Sequence, residues 1–304
     1  MRRISLVTAL GLGLTTVLAF TIPASGGLAA SALGGPVRPV RTPQGQALRN
    51  VRNQVTTQNW SGYAIAKYET GSNYTSASAT WVVPTASAPP GYSTGYSSSW
   101  VGIGGFCLTS TCNKVDKTLI QLGTEQDASS SGTTQYYAWW ETLPQGSQLI
   151  SGVTISPGDT VVASLTDGPS ITHAKGGPGG GGGKGGPGGG GGKGQTWKLS
   201  LTDQTTGASW STTLSYNSSL ASAEWIEEAP YSGGILPLAN FGTATFNPGS
   251  ANGEPPNLNS SDGILMANPN GQTSNISAPD SDLDGFNACW GNGSAFTSCT
   301  APAS

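Results

Sequence analysis

From about residue 58 onward the chain is a succession of short runs rich in Val, Ile, Thr, Tyr and Trp, separated by clusters of Gly, Pro, Asn, Asp and Ser. The runs include SATWVVP, SSSWVGIGG, TLIQLG, QYYAWWETLP, VTISPGDTVVASLTD, TWKLSLTD, TLSYN, AEWIEEAP and FGTATF. β-branched and aromatic side chains favour the pleated strand, and the intervening residues favour turns. No stretch keeps the 3.6-residue apolar period of a long amphipathic helix. Residues 56–304 therefore read as one all-β domain, a large antiparallel β-sandwich, because many short strands at this spacing pack as a single sandwich or barrel.

Three segments fall outside that pattern. Residues 1–32 begin with Met1-Arg2-Arg3, continue through an apolar run from Leu6 to Phe20, and end in the small residues Ala30-Ser31-Ala32. This is the form of a secretory signal peptide, and the run is shorter than the ~20 residues of a membrane span. The mature chain is thus expected to be secreted and extracellular, with no membrane association once the signal is removed. Residues 33–55 are basic, contain proline and lack bulky core residues, as a pro-segment or linker would. Residues 175–194 carry the nonamer KGGPGGGGG twice, at Lys175–Gly183 and Lys184–Gly192. A run of this composition buries no apolar surface and reads as a solvent loop between two strands; it lacks the Lys-Ser/Thr ending and following helix of a phosphate loop.

Charge is divided along the chain. All six arginines lie within the first 52 residues and all 16 acidic residues lie after them. Only seven lysines accompany those acids, so the remainder carries a net −9. Such a surface gives nucleic acid no purchase and suits an acidic medium, where carboxylates lose their charge. The same split predicts that Arg38, Arg41, Arg49 and Arg52 hold the pro-segment against the acidic domain at neutral pH and release it in acid. The four cysteines are spaced as two local loops, which an oxidising compartment closes as Cys107–Cys112 and Cys289–Cys299, although the sequence alone leaves other pairings open.

Elimination narrows the chemistry. The single histidine, His173, sits beside the glycine run, an unsuitable place for a Ser-His-Asp or Cys-His arrangement. One histidine without clustered cysteines also argues against a catalytic zinc, and no Asp-Thr-Gly or Asp-Ser-Gly occurs. What remains are polar residues inside strand-like runs. Alternation puts Gln121 on the face of Leu119, groups Glu224, Ile226 and Glu228 opposite Trp225 and Glu227, and places Glu141 with Tyr137 and Trp139. A face mixing aromatics, carboxylates and an amide suits a lined cleft, but spacing alone does not separate this from the water-facing side of a half-exposed sheet.

The segments NWSGYA (59–64), WVGI (100–103), LIQLG (119–123), AWWETLP (138–144), SGVTISPGD (151–159), AEWIEEAP (223–230) and PLANFGTATF (237–246) resemble, in the same order, the glutamic peptidase or eqolisin family. The resemblance implies a sandwich like the concanavalin A jelly roll and a secreted acid endopeptidase with Glu228 and Gln121 as its catalytic pair. It further implies that Trp60, Trp100 and Glu141 shape or support the cleft. Glu228 would act as general base on a water held between it and Gln121, without a covalent intermediate, metal or other cofactor. Protein and peptide substrates follow, and a monomer is expected, although the sequence does not reveal the oligomeric state. After WVGI the chain has Gly104-Gly105, where fungal members carry an acidic residue near the site.

A carbohydrate-active or carbohydrate-binding sandwich is the rival. Its paired-carboxylate form would use Glu224 and Glu228, which stand about 13 Å apart on one strand, too far for a retaining glycosidase.

Overall fold

The structure is a computed structural model that describes residues 54–168 and 194–304, together with the backbone of Leu48–Arg49. The expected leader, most of the basic segment, His173 and nearly all of the glycine insert lie outside the described residues.

Sixteen strands occur among the described residues. They are β1 (Leu48–Arg49), β2 (Val55–Thr57), β3 (Trp60–Ala66), β4 (Ser76–Val82), β5 (Thr94–Gly104), β6 (Leu119–Ser129), β7 (Thr134–Thr142) and β8 (Gln148–Thr154). The remainder are β9 (Thr160–Gly168), β10 (Thr196–Asp203), β11 (Ser209–Ser215), β12 (Ser222–Glu228), β13 (Thr243–Ala251), β14 (Gly263–Ala267), β15 (Gln272–Ile276) and β16 (Phe286–Asn292). Among the described residues, helix is confined to the turns Lys67–Thr70 and Ser260–Asp262. The all-β expectation holds.

The strands follow one hydrogen-bonded path, β11-β10-β9-β4-β13-β16-β15-β14-β3-β12-β5-β6-β7-β8, with β1 on β2 and β2 on β14. Every pairing is antiparallel except β2 with β14. The strip doubles over, so that β4 and β9 pack across β5, β6 and β12 as a second layer. Six aromatics, Tyr63, Trp81, Trp197, Trp225, Phe246 and Phe286, fill the space between the layers, with Phe246 and Phe286 stacked at 5.0 Å.

Burial follows position in this architecture. Edge strand β11 alternates exposed and half-buried residues, the pattern of a strand with one face in water. Strands β3, β5 and β12 are buried on both faces. Their inward face joins the main core. Their other face carries a second apolar cluster that includes Trp60, Trp100, Leu119, Trp139 and Ile226. The run VTISPGDTVVASLTD, continuous in composition, is divided by a turn at Pro157-Gly158 in which the Asp159 carboxylate accepts from the Ser156 N–H at 2.7 Å. Both disulfides, Cys107–Cys112 and Cys289–Cys299, are formed. In the basic segment, Leu48–Arg49 pairs with β2, while Gln54 and Val55 are buried where the sheet begins.

Candidate active site

All five residues singled out for the cleft lie on the face of the second cluster: Trp60 on β3, Glu228 on β12, Trp100 on β5, Gln121 on β6 and Glu141 on β7. Each is fully buried. This removes the alternative that they line the watered side of a half-exposed sheet. The register arranges them in rows. One row runs Ala64, Glu224, Gly102, Gln121, Glu141, and another runs Trp60, Glu228, Ser98, Glu125, Tyr137. Gln121 and Glu228 are thus two strands and four residues apart, about 16 Å between Cα atoms in a flat sheet.

Trp100 links them. Its indole Nε1 donates to Glu228 Oε2 at 2.7 Å. The far edge of the same ring lies over Gly102, whose place a side chain would contest, since a Cβ there would stand 2.9 Å from Trp100 Cζ3 and 3.2 Å from the Gln121 Cβ. Gly123, the register partner of Trp100, is equally constrained: a Cβ would meet Ser99 O at 2.2 Å and Trp100 Cβ at 2.5 Å. Trp60 packs edge-on against Trp100 with centroids 4.9 Å apart. The other oxygen of Glu228 accepts from Asn59 Nδ2 at 3.3 Å. Gln121 is oriented from β7, its Nε2 donating to Glu141 Oε2 at 2.7 Å.

Further carboxyls share this face. Glu224 is fully buried and receives no N–H donor. Burial holds it well above the usual carboxyl range, with the Ser222 hydroxyl opposing and the Asp116 charge adding. Burial also raises Asp127 to about 8, against the hydrogen bonds of Tyr137 and Glu125. Glu227 points the opposite way, between the layers, where it accepts from Ser99 Oγ at 2.6 Å. No cation balances the site among the described residues, because Lys67, Lys114, Lys117 and Lys198 are all exposed.

Among the buried polar atoms of the face without a hydrogen-bond partner are Asn59 Oδ1, Trp60 Nε1 and Gln121 Oε1. Buried polar atoms are seldom left so, and two acceptors with one donor match what an extended peptide backbone presents. Among the described residues, a group of carboxylates whose ligand atoms all lie within 4.8 Å of one another, Asp280, Asp282 and Asp284, is in the loop before β16. Asp280 there already accepts from Asn247 Nδ2 and from the N–H groups of Asp284 and Gly285.

Sequence reasoning missed Asn59, Glu125, Asp127, Gly102 and Gly123. Glu125 and Asp127 follow Gln121 by even steps on the same strand, so extending the alternation past Gly123 would have found them. Asn59 precedes the strand, and no periodicity marks it.

The fold and this face together define a β-sandwich with a buried carboxylate–amide site. The chain matches the sequence profile of the Peptidase A4 family over residues 58–172 and 193–283, and it belongs to that family. It is 28% identical over 162 residues to aspergillopepsin-2 of Aspergillus niger, a match covering 43% of this chain and 53% of that protein. It is 36% identical over 117 residues to scytalidopepsin B of Scytalidium lignicola, covering 38% of each. The chain thus matches about half or less of the length of these relatives. The fold is similar to that of scytalido-glutamic peptidase solved with a transition state analog inhibitor, at a TM-score of 0.52 and 23% identity, over 77% of this chain and 98% of that one.

Proposed function

We propose that this chain is a secreted glutamic endopeptidase, active in acid, that hydrolyses peptide bonds with a water activated by Glu228 and Gln121. The observation that carries the reading is the different treatment of two glutamates on one face of β12. Each oxygen of Glu228 accepts from a neutral N–H donor, which favours the ionised form. Glu224 has no such N–H donors, and burial pushes it well above the usual carboxyl range. Environments that push two carboxyls in opposite directions are how one site keeps a base apart from an acid. Glu224 shares the row of Gln121 and is the nearer carboxyl in register, yet a protonated group cannot accept the proton of an attacking water.

In this mechanism ionised Glu228 takes a proton from the water, which attacks the scissile carbonyl. Charge builds on the carbonyl oxygen, and the Gln121 amide donates to it with the N–H that Glu141 does not engage. Protonated Glu228 then delivers its proton to the departing amine, so the enzyme returns to its starting state with one water consumed. A base of this kind works only above its own pKa, and the reference value for Glu is ~4.3. Activity in acid therefore depends on donors to Glu228 such as Trp100 and Asn59. Family membership and the unused donor and acceptors on the face support a peptide substrate. The leader at residues 1–32 supports export, and no helix among the described residues is long and apolar enough to cross a membrane.

The test is digestion of a denatured protein at about pH 3 to 4 by the wild type, Glu228→Gln and Glu224→Gln, beside a polysaccharide. Proteolysis lost in Glu228→Gln and kept in Glu224→Gln supports the assignment. The reverse pattern transfers the base to Glu224, and polysaccharide hydrolysis alone refutes the peptidase reading.

A further inference from the structure

We propose that Asn59 is a positioning residue that holds Glu228 ionised in acid, at the expense of the protein's own stability. The proposal rests on Glu228 being the base. Asn59 is fully buried at the end of the turn that enters β3. Its place is fixed from both sides. The Thr57 hydroxyl closes the turn by accepting from the Trp60 N–H and donating to the Trp60 carbonyl, both at 2.8 Å. The Asn59 carbonyl accepts from the Ala229 N–H at 2.8 Å, immediately after Glu228.

The side chain thus arrives beside Glu228 with one orientation that works. Nδ2 faces Glu228 Oε1 at 3.3 Å, and the reverse orientation would bring two acceptor oxygens together. The cost appears at the other end of the amide, where Oδ1 is buried without a partner. A residue selected for folding alone would not leave a buried acceptor unsatisfied, since such a group loses its hydration without recompense. An apolar residue of the same shape would remove that penalty.

The surroundings make the donor count. The titratable groups on this face are Glu224 on the same strand, Glu125 and Asp127 on β6, and Tyr137 and Glu141 on β7. None of them carries a positive charge that could favour an ionised Glu228, and burial opposes it. No lysine among the described residues faces it. Asn59 and Trp100 counter the burial, one on each oxygen.

Leu is nearly isosteric with Asn, so Asn59→Leu removes donor and orphaned acceptor together. The experiment compares the wild type, Asn59→Leu and Asn59→Ala. It records kcat/KM from pH 2 to 6, thermal unfolding at pH 3.5, and ionisation of Glu228 by infrared titration of the carboxyl band, identified by difference against Glu228→Gln. The expected result is a rise of about one pH unit in both the acid limb and the Glu228 midpoint, equivalent to a tenfold change, with Asn59→Leu at least as stable as the wild type. A midpoint that does not move overturns the proposal whatever the kinetics, as does a variant that unfolds more readily with an unchanged acid limb. A raised midpoint in an enzyme whose Glu228→Gln variant still cleaves peptides would uphold the role of Asn59 and discard Glu228 as the base.

Discussion

Trp100 donates its indole N–H to Glu228 across 2.7 Å while the opposite edge of its ring rests over Gly102 beside Gln121. One side chain therefore spans the gap between the two proposed catalytic groups. Replacing it by Phe keeps an aromatic ring but removes the N–H. A hydrogen bond to a charged group contributes about 1.5–3 kcal/mol, so Trp100→Phe is expected to lower kcat/KM about tenfold to a hundredfold, most at low pH. Unchanged kinetics over pH 2 to 6 would show that the indole only packs.

Glu141 is proposed to act on Gln121 rather than on substrate. Its Oε2 accepts the 2.7 Å bond that turns the amide. Glu141→Leu leaves Gln121 free to rotate, and loss of a supporting partner typically costs tenfold to a hundredfold in activity. The loss is expected in kcat with little change in KM. Glu141→Gln keeps an acceptor oxygen and should recover part of it. Equal defects in the two variants would mean that Glu141 matters for its charge rather than for the orientation it imposes.

Alternation along β6, β7 and β12 was enough to group Gln121 with Leu119, Glu141 with Tyr137 and Trp139, and Glu228 with Glu224 and Ile226, because strand geometry ties residue parity to direction. It did not show which strands lie together, so neither the row of Gln121 with Glu224 nor that of Glu228 with Glu125 was legible. Strands β14 to β16 escaped notice as well. The segment of β14, GILMA, is apolar but only five residues long, and those of β15 and β16, QTSNI and FNACWGN, are short and mixed; they are strands because flanking strands supply hydrogen bonds, not because their composition demands it. The roles of Gly102 and Gly123 depend on how closely the Trp100 ring approaches, which no local pattern encodes.

Gly123 gives a direct test of that packing. Its register partner is Trp100, and an added methyl would overlap Ser99 O and Trp100 Cβ, backbone and side-chain root rather than a movable tip. Overpacking of this kind costs about 1–3 kcal/mol. Gly123→Ala is expected to lower thermal stability by that amount and to weaken activity further by displacing the indole from Glu228. A fully active and stable Gly123→Ala would contradict the tight fit.

The glycine insert is bounded by β9 and β10, whose residues Gly168 and Thr196 are register partners. The chain therefore leaves and re-enters the sheet at adjacent points, which a short hairpin turn can join. Loop closure changes by only about 0.6 kcal/mol per doubling of length. Replacing residues 175–194 by a short turn is expected to leave the unfolding temperature and the activity nearly unchanged. A folded but inactive deletion would assign the insert a part in the reaction.

The buried acids set how stability responds to pH. In the folded chain Asp127 is raised from 3.8 to about 8, and Glu224 is raised well above its usual value, both chiefly by burial. A carboxyl whose folded pKa exceeds its unfolded one binds its proton more tightly when folded. The stability it contributes is fully present below the unfolded pKa, near 4, and is lost as pH rises towards the folded value. At about 1.4 kcal/mol per unit, Asp127 alone loses several kcal/mol between about pH 4 and pH 8. The protein is therefore expected to unfold at its highest temperature near pH 3 to 4 and progressively lower towards neutrality. Asp127→Asn and Glu224→Gln, which cannot ionise, should each flatten the curve, gaining stability at pH 7 and little at pH 3. Thermal unfolding of the three proteins at pH 3, 5 and 7 decides it. Stability that rises with pH in the wild type, or variants that gain equally at all three pH values, would show that these carboxyls are not held protonated by the fold.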